Sequence, residues 1–255
     1  RDVERSRGLG DVYKRQILGE FKNMISQKYE HHRPRLLILL GNPSLLLRDE
    51  YRELWGDIPI VLCSEEKFIG PKDTYIYKQP VTQAERVPIS QLADPYNLVL
   101  LYSNLYLREN IQLISHIIPD MKKFIFIGDE REVNQTNNQE IQTKLKTINP
   151  NIEYQYITPQ KMTTNQLLDS LYHVDPNTTG ILFASWFYKT TFAGNTSLVT
   201  NAHKLIVTTT APIFTLNMAD ITEENGGMIG GYTYDQKHYN QPVSYTHLRA
   251  HETSL

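Results

Sequence analysis

Cysteine is almost missing from this 255-residue chain. Cys63 stands alone, so no disulfide can close within it, and the redox compartment leaves no mark on the sequence. No run of about eighteen apolar residues occurs, which excludes a membrane span inside it. A basic excess is missing too: 26 Lys and Arg face 28 Asp and Glu, a formal net charge of −2. That balance gives no electrostatic footprint for nucleic acid, which needs a basic stripe. Neither the glycine-rich phosphate loops nor H-E-x-x-H or G-x-S-x-G is present. No nucleophile–base pair is visible either, so an enzyme is the reading the residues support least.

The two ends of the chain encode one piece of DNA read in opposite directions. Ser6 to Gln16 back-translates to a transposase-type sequencing adapter, and Val243 to Thr253 reads its reverse complement. Residues 1–16 and 243–255 are therefore adapter-derived and are set aside in reasoning about the fold. About 226 residues remain, with a net charge near −4, enough for one large domain or two ordinary lobes. The expectation is an internal piece of a longer reading frame, running from Ile17 to Pro242.

Within that piece, short apolar runs alternate with amphipathic stretches. Strands are expected at Arg35–Leu40, Ile58–Cys63, Asn97–Tyr102, Phe124–Gly128, Ile152–Ile157, Gly180–Ser185 and Pro212–Leu216. Helices are expected at Ile17–Tyr29, Ser44–Trp55, Leu107–Ile118, Gln139–Thr147, Thr164–Tyr172 and Ser197–Val207, with Ser44 capping the second. A run such as Leu36–Leu40 suits a parallel sheet covered on both faces, and the alternation predicts doubly wound α/β layers. Two stretches break the pattern. Glu65 to Asp94 is rich in Lys, Pro, Tyr and Gln and reads as a functional loop or added short strands. In the second, Gly226-Gly227 and Gly230-Gly231 bracket Met228-Ile229, as in a strand passing close to another backbone.

Ligands of open parallel α/β sheets bind at the carboxyl ends of the strands. That rule selects Asn42 and Ser44 in the turn after Leu40, Ser64 and Glu65 after the next strand, and Asp129 after Gly128. It also selects Ser185, Trp186 and Phe187, and finally Asn217. Each has an ordinary alternative as a cap or turn residue. The set carries more weight than its members, because Trp186 and Phe187 are large apolar groups where a loop should be polar. These residues are expected to converge around a shared gap. His31-His32 lacks the two further ligands a zinc site needs, Cys63 reads as a buried inert thiol, and Asp129 lacks the acidic pair of a phospho-acceptor. No metal and no cofactor is expected.

The chain resembles the extracytoplasmic sensor region of hybrid two-component histidine kinases, which is built like type I periplasmic solute-binding proteins. The resemblance is carried by Asp94-Pro95-Tyr96-Asn97, by Ile118 through Asp129, by Thr179 through Phe187, by Ala211 through Leu216 and by Gly226 through Tyr232. It implies two α/β lobes with a small-molecule ligand in the cleft between them. The first lobe would comprise 17–103 plus 226–242, incomplete at its N-terminus with an exposed sheet edge. The second lobe and return crossover would comprise 104–225. A kinase module in the same parent chain, a homodimer, a periplasmic location and membrane attachment through flanking segments are implied as well. The substrate-binding protein of an ABC importer shares this architecture and is the alternative; a membrane span and kinase motifs after Gln241 would separate the two. A third possibility is a sensor with a vestigial cleft that signals by binding a partner protein.

Overall fold

The computed structural model describes residues 19–72, 82–192, 195–199, 206, 209–221 and 228–233. They form a mixed α/β protein of two compact units, one ending at Ser103 and the other beginning at Asn104.

The first unit is built on three parallel strands, β1 (Leu37–Leu40), β2 (Ile60–Ser64) and β5 (Leu98–Tyr102), in the order β1-β2-β5. Residues 19–28 are helical, and a 3-10 turn over Asn42–Leu47 runs into the helix Arg48–Trp55. Asp49 and Glu50 complement the helix dipole in its first turn, while Tyr51 and Trp55, four residues apart, turn inward together. Gly56 stops the helix at φ +69°, a conformation that penalises any side chain. Trp55 stacks on Tyr51 and meets the edge of Tyr29, joining Leu39, Ile60, Leu62 and Leu98 in one core. The Glu65–Asp94 stretch contributes a short antiparallel pair, β3 (Phe68–Ile69) with β4 (Val87–Pro88), and two 3-10 turns. The added-strand option is thus realised in part; residues 73–81 lie outside the described residues.

That core lies on one face of the sheet. On the opposite face the flanking strands leave Ile38, Leu40 and Val99 45%, 75% and 52% exposed, while Val61 of the central strand, between Ile38 and Val99, is 3% exposed. Coverage of both faces, expected from the apolar runs, does not hold for this sheet among the described residues.

In the second unit β6 (Lys123–Ile127), β7 (Glu153–Ile157), β8 (Thr179–Phe183) and β11 (Ile213–Thr215) form a parallel sheet in the order β11-β8-β6-β7. Here both faces are covered. Phe124, Phe126, Leu182 and Phe214 pack against Ile111 and Ile114 of the helix Leu107–Ile117 and Ile141 and Leu145 of the helix Glu132–Ile148. Ile125, Ile127, Ile181 and Phe183 pack against Leu167 and Leu171 of the helix Thr164–Tyr172. Thr163 and Gln166 exchange side-chain-to-backbone hydrogen bonds in a capping box at the start of that last helix, worth about 1 kcal/mol.

Further features differ from the sequence expectation, and the helix expected at Gln139–Thr147 begins seven residues earlier, at Glu132. The segment Ser197–Val207, expected to be helical, opens as strand β10 (Asn195–Val199), paired antiparallel with β9 (Tyr188–Phe192). Thr196 and Val199 favour extended backbone. Ile206 is helical, and most of the remaining stretch lies outside the described residues. The passage from Met228, expected in the first lobe, instead runs along β11 of the second unit: Ile229 N donates to Ile213 O and Thr215 N to Gly230 O. Asn110 holds it with two hydrogen bonds to the Tyr232 backbone. A Cβ on Gly231 would stand 2.1 Å from Thr215 O, so this close approach requires glycine.

Candidate functional site

Each unit gathers buried polar side chains where its parallel strands end. In the second unit β6 and β8 are neighbours, so Asp129 and Ser185, both just past their strands, meet. Ser185 Oγ donates to Asp129 Oδ2 at 2.7 Å and accepts from Asn134 Nδ2 at 2.7 Å. Asn134 lies in the first turn of the helix Glu132–Ile148. Arg131, the N-cap of that helix, donates its backbone N–H to Asp129 Oδ1 at 2.9 Å. Its Nε reaches both carboxylate oxygens, at 2.9 and 3.0 Å. The guanidinium lies over the Phe187 ring, 4.2 Å from its centroid.

Asp129 is only 1% exposed. Burial by itself pushes its carboxyl upward. The hydrogen bonds from Arg131 and Ser185 and the Arg131 charge outweigh that, holding it below the ordinary carboxylate range. Tyr156 donates to the Asp129 carbonyl at 2.6 Å, and burial, followed by the nearby Glu130 and Asp129 charges, pushes its phenol upward. The Glu130 carboxylate accepts from Thr158 Oγ1 at 2.6 Å. With its amide turned nitrogen-inward, Gln160 donates to the same carboxylate at 2.8 Å.

The first unit repeats the device with different chemistry. Ser64, ending β2, donates to Asn42 Oδ1 at 2.6 Å just past the neighbouring β1. Asn42 Nδ2 donates to Glu66 Oε2 at 3.0 Å and to Phe68 O at 2.8 Å. Glu66 in turn lies 3.6 Å from the guanidinium of buried Arg86. This network is interior: Asn42, Ser64 and Arg86 are all buried.

Of the residues expected at the site, Asn42 thus joins Ser64, and Asp129 joins Ser185, with Phe187 attached through Arg131. Trp186 does not line a wall. It is 2% exposed, sits in the core beside Ile157 and Leu167, and its Nε1 donates to Thr164 Oγ1 at 3.0 Å. The aromatic bulk that singled it out is used for packing. Ser44 is no helix cap, because its Oγ donates backward to Gly41 O at 2.6 Å and the cap position falls to Leu47. Glu65 and Asn217 are exposed; the Asn217 backbone N–H donates to Thr215 Oγ1 at 3.0 Å.

Sequence reasoning missed Arg131, Asn134, Glu66 and Arg86. The Asp129-Glu130-Arg131 charge triplet, at a strand end and directly before a helix, was the available signal for Arg131. Arg86 comes from the irregular stretch, where no periodicity marks a buried position. No cluster of His, Cys, Asp and Glu among the described residues could hold a metal, and none of their helices is long and apolar enough to cross a membrane.

No family model matches the chain, and no curated protein matches it. Among solved structures it is similar to a conserved domain protein from Vibrio cholerae O1 biovar eltor str. N16961, with a TM-score of 0.42 and 12% identity. That match covers 78% of this chain, which spans 58% of the neighbour's length.

Proposed function

We propose that the chain is the ligand-sensing extracytoplasmic segment of a two-component sensor histidine kinase. In this reading it has type I periplasmic-binding-protein lobes, binds a small molecule in the interlobe cleft and performs no chemistry itself. The observation that carries the proposal is the Asp129–Arg131–Ser185–Phe187 group at the carboxyl ends of β6 and β8, where ligands of parallel α/β sheets bind. The resemblance described above supplies the rest: a kinase module in the parent chain, a homodimer and a periplasmic location. Signalling would follow from population shift, since a ligand moves an equilibrium only by its differential affinity for the two states. Turning a mostly silent receptor into a mostly active one takes about 5.5 kcal/mol.

The test uses the complete parent protein in membranes, assayed for autophosphorylation against a metabolite panel. A compound should change phosphorylation in the parent and lose that effect with Phe187→Ala. If none alters phosphorylation and calorimetry detects no binding, the proposal fails. A parent gene that stops shortly after Gln241, with no kinase motifs, would instead favour the importer component.

A further inference from the structure

We infer that Arg131 is a preorganised receptor for the oxyanion group, carboxylate or phosphate, of a small ligand. Only one edge of its guanidinium is committed. Nε faces Asp129, whereas the two terminal nitrogens make no hydrogen bond among the described residues, and the side chain is 50% exposed. A guanidinium presents paired N–H donors in a planar fork that matches a carboxylate or phosphate.

An exposed arginine is ordinarily mobile, and ordering it on binding would consume affinity. Here the ordering is already built in. Asp129 is fixed by Ser185, which is fixed by Asn134, and all three are buried. Phe187 holds the plane of the guanidinium from its face. The nearby Glu130 carboxylate, which would repel an anion, is already engaged by Thr158 and Gln160. Arg131 also stands at the N-terminus of a 17-residue helix, whose dipole favours negative charge there. Glu132, in the first turn, is the one acidic neighbour that opposes it on that helix.

As a statement of the sensor's ligand class this rests on the reading above, but its test is separate. The Arg131 Nε–H resonance of the ¹⁵N-labelled chain, identified by its loss in Arg131→Lys, is followed while acetate or inorganic phosphate is added at constant ionic strength. A saturable shift with either anion, absent with chloride and with neutral ribose, is the expected result. Acetate alone saturating would indicate a carboxylate ligand, and phosphate alone a phosphorylated one. Phe187→Ala should weaken the saturating anion about 3- to 10-fold by removing the cation–π hold. A shift that grows linearly without saturating, an equal response to chloride or ribose, or unchanged affinity in Phe187→Ala would overturn the inference. Saturation without any kinase response would keep the anion site and reject the sensor. A kinase response without saturation would do the reverse.

Discussion

In both units a serine at the end of one strand reaches across to the polar residue just past its neighbour, yet the two sheets around these pairs are buried differently. The second unit's sheet is sandwiched between helices, and Phe124, Phe126 and Ile127 are sealed. The first unit's sheet is packed on one face, leaving Ile38, Leu40 and Val99 open on the other. Strand sequence does not separate the two cases, since both read as apolar runs. What differs among the described residues is where the helical segments pack: those of the second unit cover both faces of its sheet, whereas residues 19–28 and Arg48–Trp55 of the first join a core on one face.

The largest effect should come from the sealed sheet. Phe126 is fully buried, stacks on Tyr156 at 5.3 Å and packs beneath the two helices of its face. Phe126→Ala removes that ring and leaves a cavity, and should cost about 3–5 kcal/mol. Trp186 reports on this unit, so urea unfolding followed by its fluorescence in a Trp55→Phe background measures the cost directly. A loss below about 1 kcal/mol would mean that this face is far looser than its packing indicates.

The polar pairs sharpen the comparison because one contains an amide and the other a carboxylate. Asn42 uses its NH₂ to donate to Glu66 and to the Phe68 carbonyl. An aspartate there would lose both bonds and bring a second carboxylate against Glu66 in a buried site. Asn42→Asp should therefore destabilise the first unit by about 3 kcal/mol near neutral pH. The transition seen by Trp55 in a Trp186→Phe background reads that loss. Tolerance of the change would show that the network is wetter than its burial suggests.

Much of this architecture was legible in the residues. The parallel strands lie within about two residues of their expected bounds, because apolar runs such as Phe124–Ile127, closed by Gly128, have few other solutions. The helix Thr164–Tyr172 begins and ends where the pattern places it. Legibility failed where contacts, and not local pattern, decide. Trp186 looked like a ligand platform because it follows a strand, but the space beneath it belongs to the core. The stretch from Ser197 reads as a helix, but the pairing of Asn195–Val199 with β9 makes its start a strand. The exposure of Ile38 and Leu40 leaves no trace in β1, since Leu40 is as apolar as Leu39. At the site, Asp129 and Ser185 were reachable from the strand-end rule, whereas Arg131 needed the geometry of the turn.

Ser185→Ala should cost about 1–3 kcal/mol, because Asp129 and Asn134 each lose a buried partner. It also carries a pH signature. The Asp129 carboxyl titrates lower when folded than when unfolded. Its contribution is therefore present above the unfolded carboxylate value and is lost as pH falls through the folded one. Removing the Ser185 hydroxyl raises the folded value, so acid unfolding of the second unit should begin at higher pH than in the wild type. An unchanged acid midpoint would mean that Arg131 alone sets the charge of Asp129.

The smallest effect is expected on the open face of the first sheet. Leu40 ends β1 and is 75% exposed, so replacing it removes little area that folding had hidden from water. Leu40→Lys should change the stability of the first unit by no more than about 0.5 kcal/mol, the usual range for surface positions without special contacts. Trp55 fluorescence during urea unfolding, in the Trp186→Phe background, measures it. The comparison with Phe126→Ala then separates a sheet that folding has sealed from one it has left open. If Leu40→Lys instead cost as much as a core truncation, some part of the chain would have to cover this face in solution. The contrast between the two sheets would then vanish.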